Sequence, residues 1–239
     1  MDRLAGAAEL LDGPLDDAPA LAGNLRDLRR ANRWLGGIAL SAKALEALAG
    51  PAADAGATIS LLDVGTGAAD IPLALIETWR GRRRRLEVTA IDERAEVIEA
   101  ARRSDARADA TPRLTLAVAD GRSLPYPDAA FDVSHASLVL HHLEPADAVV
   151  LLKEMSRVSR RGIVVNDLAR NPLSLTGAWL LSHLATFNRY SRHDAPLSVR
   201  RAYTLAEAHA LIATAGLQSA AEFVAPFRHR WAIAARRAE

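Results

Sequence analysis

The chain has 239 residues, 30 basic and 29 acidic, for a formal net charge of +1, and half of it is apolar. That balance suits a soluble globular chain with a sizeable core, and it excludes global disorder and nucleic-acid binding by bulk charge. The absence of cysteine excludes a disulfide framework, a thiolate metal site and a cysteine nucleophile.

In chain order, residues 1–20 mix Ala, Asp, Gly and Pro with little periodicity and read as a loose N-terminal arm. Met1 to Asp17 carries acids and lacks a long apolar core, so it is no secretory signal. From Leu21 to Leu48, apolar residues recur at helical spacing, with Gly36-Gly37 as a break. Gly50-Pro51 and the Ala/Gly run to Ala57 read as a linker, so 21–57 forms an N-terminal helical cover. Short apolar runs then alternate with helical segments. Strands are predicted at 59–64, 86–91, 114–118, 131–136 and 162–165, and helices at 68–79, 94–103 and 146–158. This alternation means βαβ units and a mostly parallel sheet. An insertion follows at 169–203, its apolar-rich part at 173–187 broken by polar residues and shorter than the roughly 20 residues that span a bilayer. No stable membrane insertion is expected, and the expected location is cytoplasmic. A last helix opens on Thr204 with Glu207 three residues on, a capping box. Two final strands at 217–223 and 228–234 are joined by a connection too short for a parallel crossover, so they form an antiparallel hairpin.

The strongest motif is Asp63-Val64-Gly65-Thr66-Gly67-Ala68-Ala69-Asp70, at a strand-to-helix turn. Gly65 and Gly67 permit the tight turn and the close approach of a ligand to backbone. Asp92, with Glu93 after it, follows the second strand at the distance where a carboxylate accepts hydrogen bonds from a ribose diol. To this point a dinucleotide and S-adenosylmethionine both fit. The third strand ends in Ala119-Asp120-Gly121-Arg122, then Leu124-Pro125-Tyr126, then Phe131-Asp132-Val133 and Leu140-His141-His142-Leu143.

With these motifs the chain resembles the class I S-adenosylmethionine-dependent methyltransferases, in the small-molecule group that includes quinone-biosynthesis and natural-product enzymes. The resemblance implies a Rossmann-like α/β fold: a seven-stranded, mostly parallel sheet with a C-terminal antiparallel hairpin and helices on both faces, filling 58–239. It implies S-adenosylmethionine as cofactor, with Gly65, Thr66 and Gly67 passing the methionine end and Asp63 ordering the turn. Asp92 and Glu93 lie at the ribose, and Asp120, Gly121 and Arg122 at the adenine. Ala136 and Ser137 line the methionine moiety, Asp70 approaches its amino group, and Arg33 pairs with its carboxylate. Ala69 stands where the family has a third glycine, a departure that its small size tolerates.

Methyl transfer needs a positioned nucleophile and, for an oxygen or carbon acid, a proton acceptor. The candidates are His142, His193 and Asp167, all expected near the C-terminal edge of the sheet. The insertion reads as a lid, whose apolar half (Trp179 to Phe187) suggests a phenol, quinone or polyketide acceptor. The arginine run 82–85 reads as a solvated loop at the far edge, and no nucleic-acid partner is expected. A homodimer is compatible with the chain. No metal is expected, because adjacent His141 and His142 are not expected to turn both rings to one face. The competing readings are a nicotinamide-dependent oxidoreductase and a non-catalytic S-adenosylmethionine-binding protein.

Overall fold

A computed structural model describes residues 1–104 and 111–238. Its centre is one sheet of seven strands: β1 (Thr58–Val64), β2 (Arg85–Asp92), β3 (Leu114–Val118), β4 (Phe131–Ser137), β5 (Ser159–Leu168), β6 (Leu217–Val224) and β7 (Arg230–Arg237). Their order is β3-β2-β1-β4-β5-β7-β6. The first five strands are parallel, and β7 runs antiparallel between β5 and β6. β1 and β4 are central and buried on both faces, as expected for continuous apolar runs in a parallel sheet. The order reverses between β1 and β4. A crevice therefore opens beyond their C-terminal ends, where open α/β sheets bind ligands.

The helices are α1 (Ala18–Trp34), α2 (Gly37–Asp54), α3 (Asp70–Gly81), α4 (Ala95–Ser104), α5 (Pro145–Arg157), α6 (Pro172–Leu184), α7 (Arg189–Arg201) and α8 (Leu205–Thr214). The break at Gly36 is as expected, with Gly36 left-handed at φ 83°. The predicted linker at Gly50-Pro51 does not form. α2 continues to Asp54 with Pro51 inside it, and the Arg236 guanidinium donates to the Ala47 carbonyl, which a proline nitrogen cannot serve. Burial of Ala49, Gly50 and Ala53 against the sheet favours the continued helix over the local breaker. α2 is thus a layer of the sheet domain, and only α1 is a cover. The capping box of α8 forms as predicted, with Thr204 Oγ1 accepting from Glu207 N and Glu207 returning the bond to Thr204 N.

Two further expectations are corrected. The arginine run is not simply solvated: Arg84 donates to Glu46 at 2.7 and 2.8 Å and pairs with Asp54, fastening α2 to the sheet edge. Residues 1–17 are not loose. Arg3 donates to Glu144, Leu143 O and Arg201 O, and Leu4 N donates to Arg200 O. A short 3-10 helix, Leu10–Asp12, is capped by the buried Asp194 carboxylate, which accepts from Leu10 N at 2.8 Å and Leu11 N at 3.2 Å. These partners lie over a hundred positions away, so local periodicity carries no trace of them.

Candidate functional site

The crevice is built first by the turn after β1. Gly65 (φ 67°) and Gly67 (φ 55°) are both left-handed, a backbone region that glycine enters without penalty. A Cβ on Gly65 would lie 2.4 Å from Val139 Cγ2. Thr66 N donates to Ile91 O at 2.9 Å, which locks the turn onto β2. Ala69 caps α3 with φ 53°. Its departure from the family pattern is therefore one of handedness rather than size, worth about 1–2 kcal/mol of strain.

Asp92 accepts from Gly67 N at 3.2 Å and from Arg94 N at 3.1 Å. Burial pushes its carboxyl up, against those two donors. Asp70 is likewise pushed up by burial, and Asn32 donates to it at 3.1 Å. Thr66 Oγ1 is buried without a partner. A Cβ on Gly121 would lie 2.6 Å from Val64 Cγ1 and 2.9 Å from Leu151 Cδ1, so this floor admits only glycine. Arg122 grips Asp120 through backbone and guanidinium at 2.8–3.2 Å, holding that carboxyl below its usual range.

Beneath the turn runs a buried polar chain. His135 Nδ1 donates to Asp63 Oδ1 at 2.5 Å, its cross-strand partner on β1, and His135 Nε2 meets Ser41 Oγ at 2.7 Å. Asn166 Nδ2 donates to Ser41 at 2.7 Å, and Asn166 Oδ1 accepts from Arg230 Nε at 2.7 Å. Arg230, fully buried, also donates to Asn32 at 2.9 Å and to Ser137 at 2.8 Å. Burial lowers its pKa to about 10. The network ties α1, α2, β4, β5 and β7 to one end of the crevice, where Asn32, Asp70 and Ser137 reach its wall.

A second part of the wall comes from the N-terminal segment and α1. Leu11, Asp12, Leu15, Leu21, Leu25, Leu28 and Asn32 line the crevice, and Leu15, Leu21 and Leu25 pack with Ala68 just after the glycine turn. His142 lines it too, with Nδ1 on Asp12 Oδ1 at 2.9 Å. Burial would raise the Asp12 carboxyl, but His142 and Arg201 hold it well below the usual range. Burial would lower His142, but Asp12 and the Glu9 charge raise it.

Of the sequence-predicted residues, Asp63, Gly65, Thr66, Gly67, Asp70, Asp92, Glu93, Asp120, Gly121, Arg122, Ser137 and His142 all line this crevice. Ala136 lies beneath it in the core. Arg33 is turned away, stacked 5.4 Å from Trp34 and facing a separate groove with Arg29 and Glu77; its neighbour Asn32 takes the crevice position. Asp167 is buried behind the wall, bonded to His141 Nδ1 at 2.7 Å, and His193 is half exposed on Asp194. Neither lines the crevice. The insertion does not line the crevice. Trp179, Leu180, Leu181, Leu184 and Phe187 face outward, and what the insertion supplies is the anchor for the N-terminal segment. Sequence reasoning missed Leu11, Asp12 and Leu15. Their only local signal is a short acid-leucine cluster without periodicity.

Residues 61–162 match a family described as a methyltransferase domain. No curated protein matches the chain. Among solved structures, the chain is similar to a SAM-dependent methyltransferase from Aquifex aeolicus (16% identity, TM-score 0.58, 90% of this chain and 97% of that one). It is also similar to an O-methyltransferase family 2 protein from Planctomyces limnophilus in complex with apigenin (18%, 0.67, 94% and 62%). A third is human N-acetylserotonin methyltransferase in complex with SAM (17%, 0.65, 96% and 61%). The chain thus spans nearly all of the first and about three-fifths of the other two.

Proposed function

We propose that this chain, which matches a methyltransferase domain at 61–162 and has a fold similar to that of S-adenosylmethionine-dependent enzymes, is a methyltransferase that uses that cofactor and methylates oxygen or carbon of a small, apolar acceptor of phenol, quinone or polyketide type. The observation that carries the acceptor class is the leucine lining of the crevice, Leu11, Leu15, Leu21, Leu25 and Leu28, which they share with the glycine turn and His142.

The residues fit the cofactor. Gly65 and Gly67 leave backbone uncovered for its methionine end, and the unpartnered Thr66 hydroxyl is available there. Asp92 is fixed by two backbone donors and offers its remaining lone pairs to ribose hydroxyls, which relieves the cost of its burial. Glu93 stands beside it. Asp120, Gly121 and Arg122 form the adenine end, where Gly121 leaves a flat floor. Asp70 and Ser137, steadied by Asn32 and Arg230, close the amino-acid end. The bound cofactor supplies an electrophilic methyl on a sulfonium. What the chain adds is position: the leucines exclude water, and His142, held by Asp12, stands beside them in the crevice lining.

Calorimetry with the demethylated cofactor product, followed by a mass-spectrometric screen of phenols and quinones for the gain of one methyl group, tests this reading. Micromolar product binding and a methylated phenol or quinone are expected. Folded protein that ignores the cofactor product, or methylates only polar acceptors, would overturn it.

A further inference from the structure

His141 and His142 lie side by side in the 3-10 turn Leu140–His142, with ring centroids 4.3 Å apart and planes inclined by 35°. The expectation that adjacent histidines diverge fails because each ring is pinned by a carboxylate from elsewhere in the chain. His141 Nδ1 meets Asp167 Oδ1 at 2.7 Å, and His142 Nδ1 meets Asp12 Oδ1 at 2.9 Å. An ionised carboxylate only accepts, so each Nδ1 carries a proton, and each Nε2 is the ring nitrogen left to meet a further ligand. Both Nε2 atoms point at one group: they lie 3.8 Å from Glu9 Oε1 and 3.9 Å from Glu9 Oε2. Those spans are too long for hydrogen bonds. They are close to the roughly 3.4 Å that separates two ligands held 2.0–2.1 Å from a shared tetrahedral ion.

From this geometry we propose that Glu9, His141 and His142 form a binding site for a divalent transition-metal ion of the zinc type. Their ligand atoms lie within 4.8 Å of one another. Glu9 is buried, and its Oε1 accepts no hydrogen bond, an orphaned carboxylate oxygen directed into the cluster. Both histidines carry the carboxylate support on the second nitrogen that metal-binding imidazoles usually have. The charges leave room for a cation. Glu9, Asp12 and Asp167 contribute three negative charges, and Arg201, 3.5 Å from Glu9 Oε1 and 2.6 Å from Asp12 Oδ2, contributes one positive. Three carboxylates thus face one guanidinium and two imidazoles. Two imidazole nitrogens and one carboxylate select zinc, cobalt or nickel over magnesium or calcium. Three protein ligands leave a fourth position open, as in catalytic sites. Because His142 lines the crevice, that position faces the acceptor space, where an ion lowers the pKa of a coordinated hydroxyl. This use in methyl transfer rests on the function proposed above; the binding of the ion does not.

The test is a cobalt(II) titration of tag-free, chelator-stripped full-length protein, read by visible ligand-field absorption and reversed with zinc. One saturable equivalent is expected. Glu9→Gln, close to isosteric, and His142→Asn are each expected to weaken binding by on the order of a hundredfold, and Asp167→Asn by about 10–100-fold. Circular dichroism reports whether each variant folds; if His142→Asn does not, the wild-type protein and Glu9→Gln decide the matter. No saturable band in the wild type, meaning that protons fill the charge deficit, overturns the site. So does a band that Glu9→Gln leaves unchanged. Calorimetry with the cofactor product on the same preparation reports separately on the methyltransferase reading.

Discussion

The two walls of the crevice are made in different ways. The wall that carries the glycine turn is a set of loops at the ends of β1, β2, β3 and β4, each held by neighbours on the next strand, as Thr66 is by Ile91. The other wall is a segment from the chain's start, held by an insertion some 180 residues away: Asp194 caps Leu10–Asp12, and Asn188 donates to Ala20 O at 2.7 Å. The first wall comes with the sheet. The second exists only when two distant parts of the chain meet. Changes to the second should therefore act on the acceptor and spare the cofactor, and changes to the first the reverse.

The largest expected effect is on the second wall. Removing residues 1–17 takes away Leu11, Asp12 and Leu15, and methyl transfer should fall by on the order of a hundredfold or more through lost positioning. Binding of the cofactor product should fall far less; equal losses in turnover and calorimetry would erase the distinction between the walls. Asp194→Ala is a milder cut at the same wall. It removes the cap of the 3-10 helix, worth about 0.5–2 kcal/mol, and should raise the KM for acceptor while leaving that for cofactor unchanged.

On the first wall, Asp92→Asn should weaken the cofactor product by about 1.5–3 kcal/mol, the worth of hydrogen bonds to a charged group. It should also raise the melting temperature of the unliganded protein at neutral pH. The sign follows from burial. The folded carboxyl is raised above its unfolded value, so the unfolded chain gives up its proton first. The stability that Asp92 contributes is present at low pH and is lost as pH rises through the folded pKa. The asparagine variant should show less of that loss in melts across the acidic range. The smallest effect is expected at Ala69. Glycine relieves the left-handed strain but loses a buried methyl and adds unfolded-state entropy, so Ala69→Gly should move stability by less than about 1 kcal/mol.

The contrast also explains what could be read in advance. Gly65, Gly67, Asp92, Asp120 and Gly121 were legible because each sits at a fixed offset from a strand end, and period and turn chemistry mark strand ends locally. The hairpin β6–β7 and the capping box at Thr204 were legible for the same reason. Arg33 was misplaced by one position, because which side of α1 faces the crevice depends on Arg230 fixing Asn32 from β7. The outward-facing Trp179 and Phe187 were read as a lid, because an apolar run states that a surface is greasy and not which way it points.

The sequence by itself determined the alternation of strands and helices, the parallel order that follows from it, and the residues at the strand ends that line the crevice, since all depend on interactions between near neighbours. Only the tertiary structure decided that the first seventeen residues line the crevice, that Asp167 is buried against His141, and that two adjacent histidines and Glu9 converge. The first and last of these depend on hydrogen bonds and buried charges between residues more than a hundred positions apart. Such contacts leave no periodic mark on the chain, because they act only after the sheet has brought the partners together.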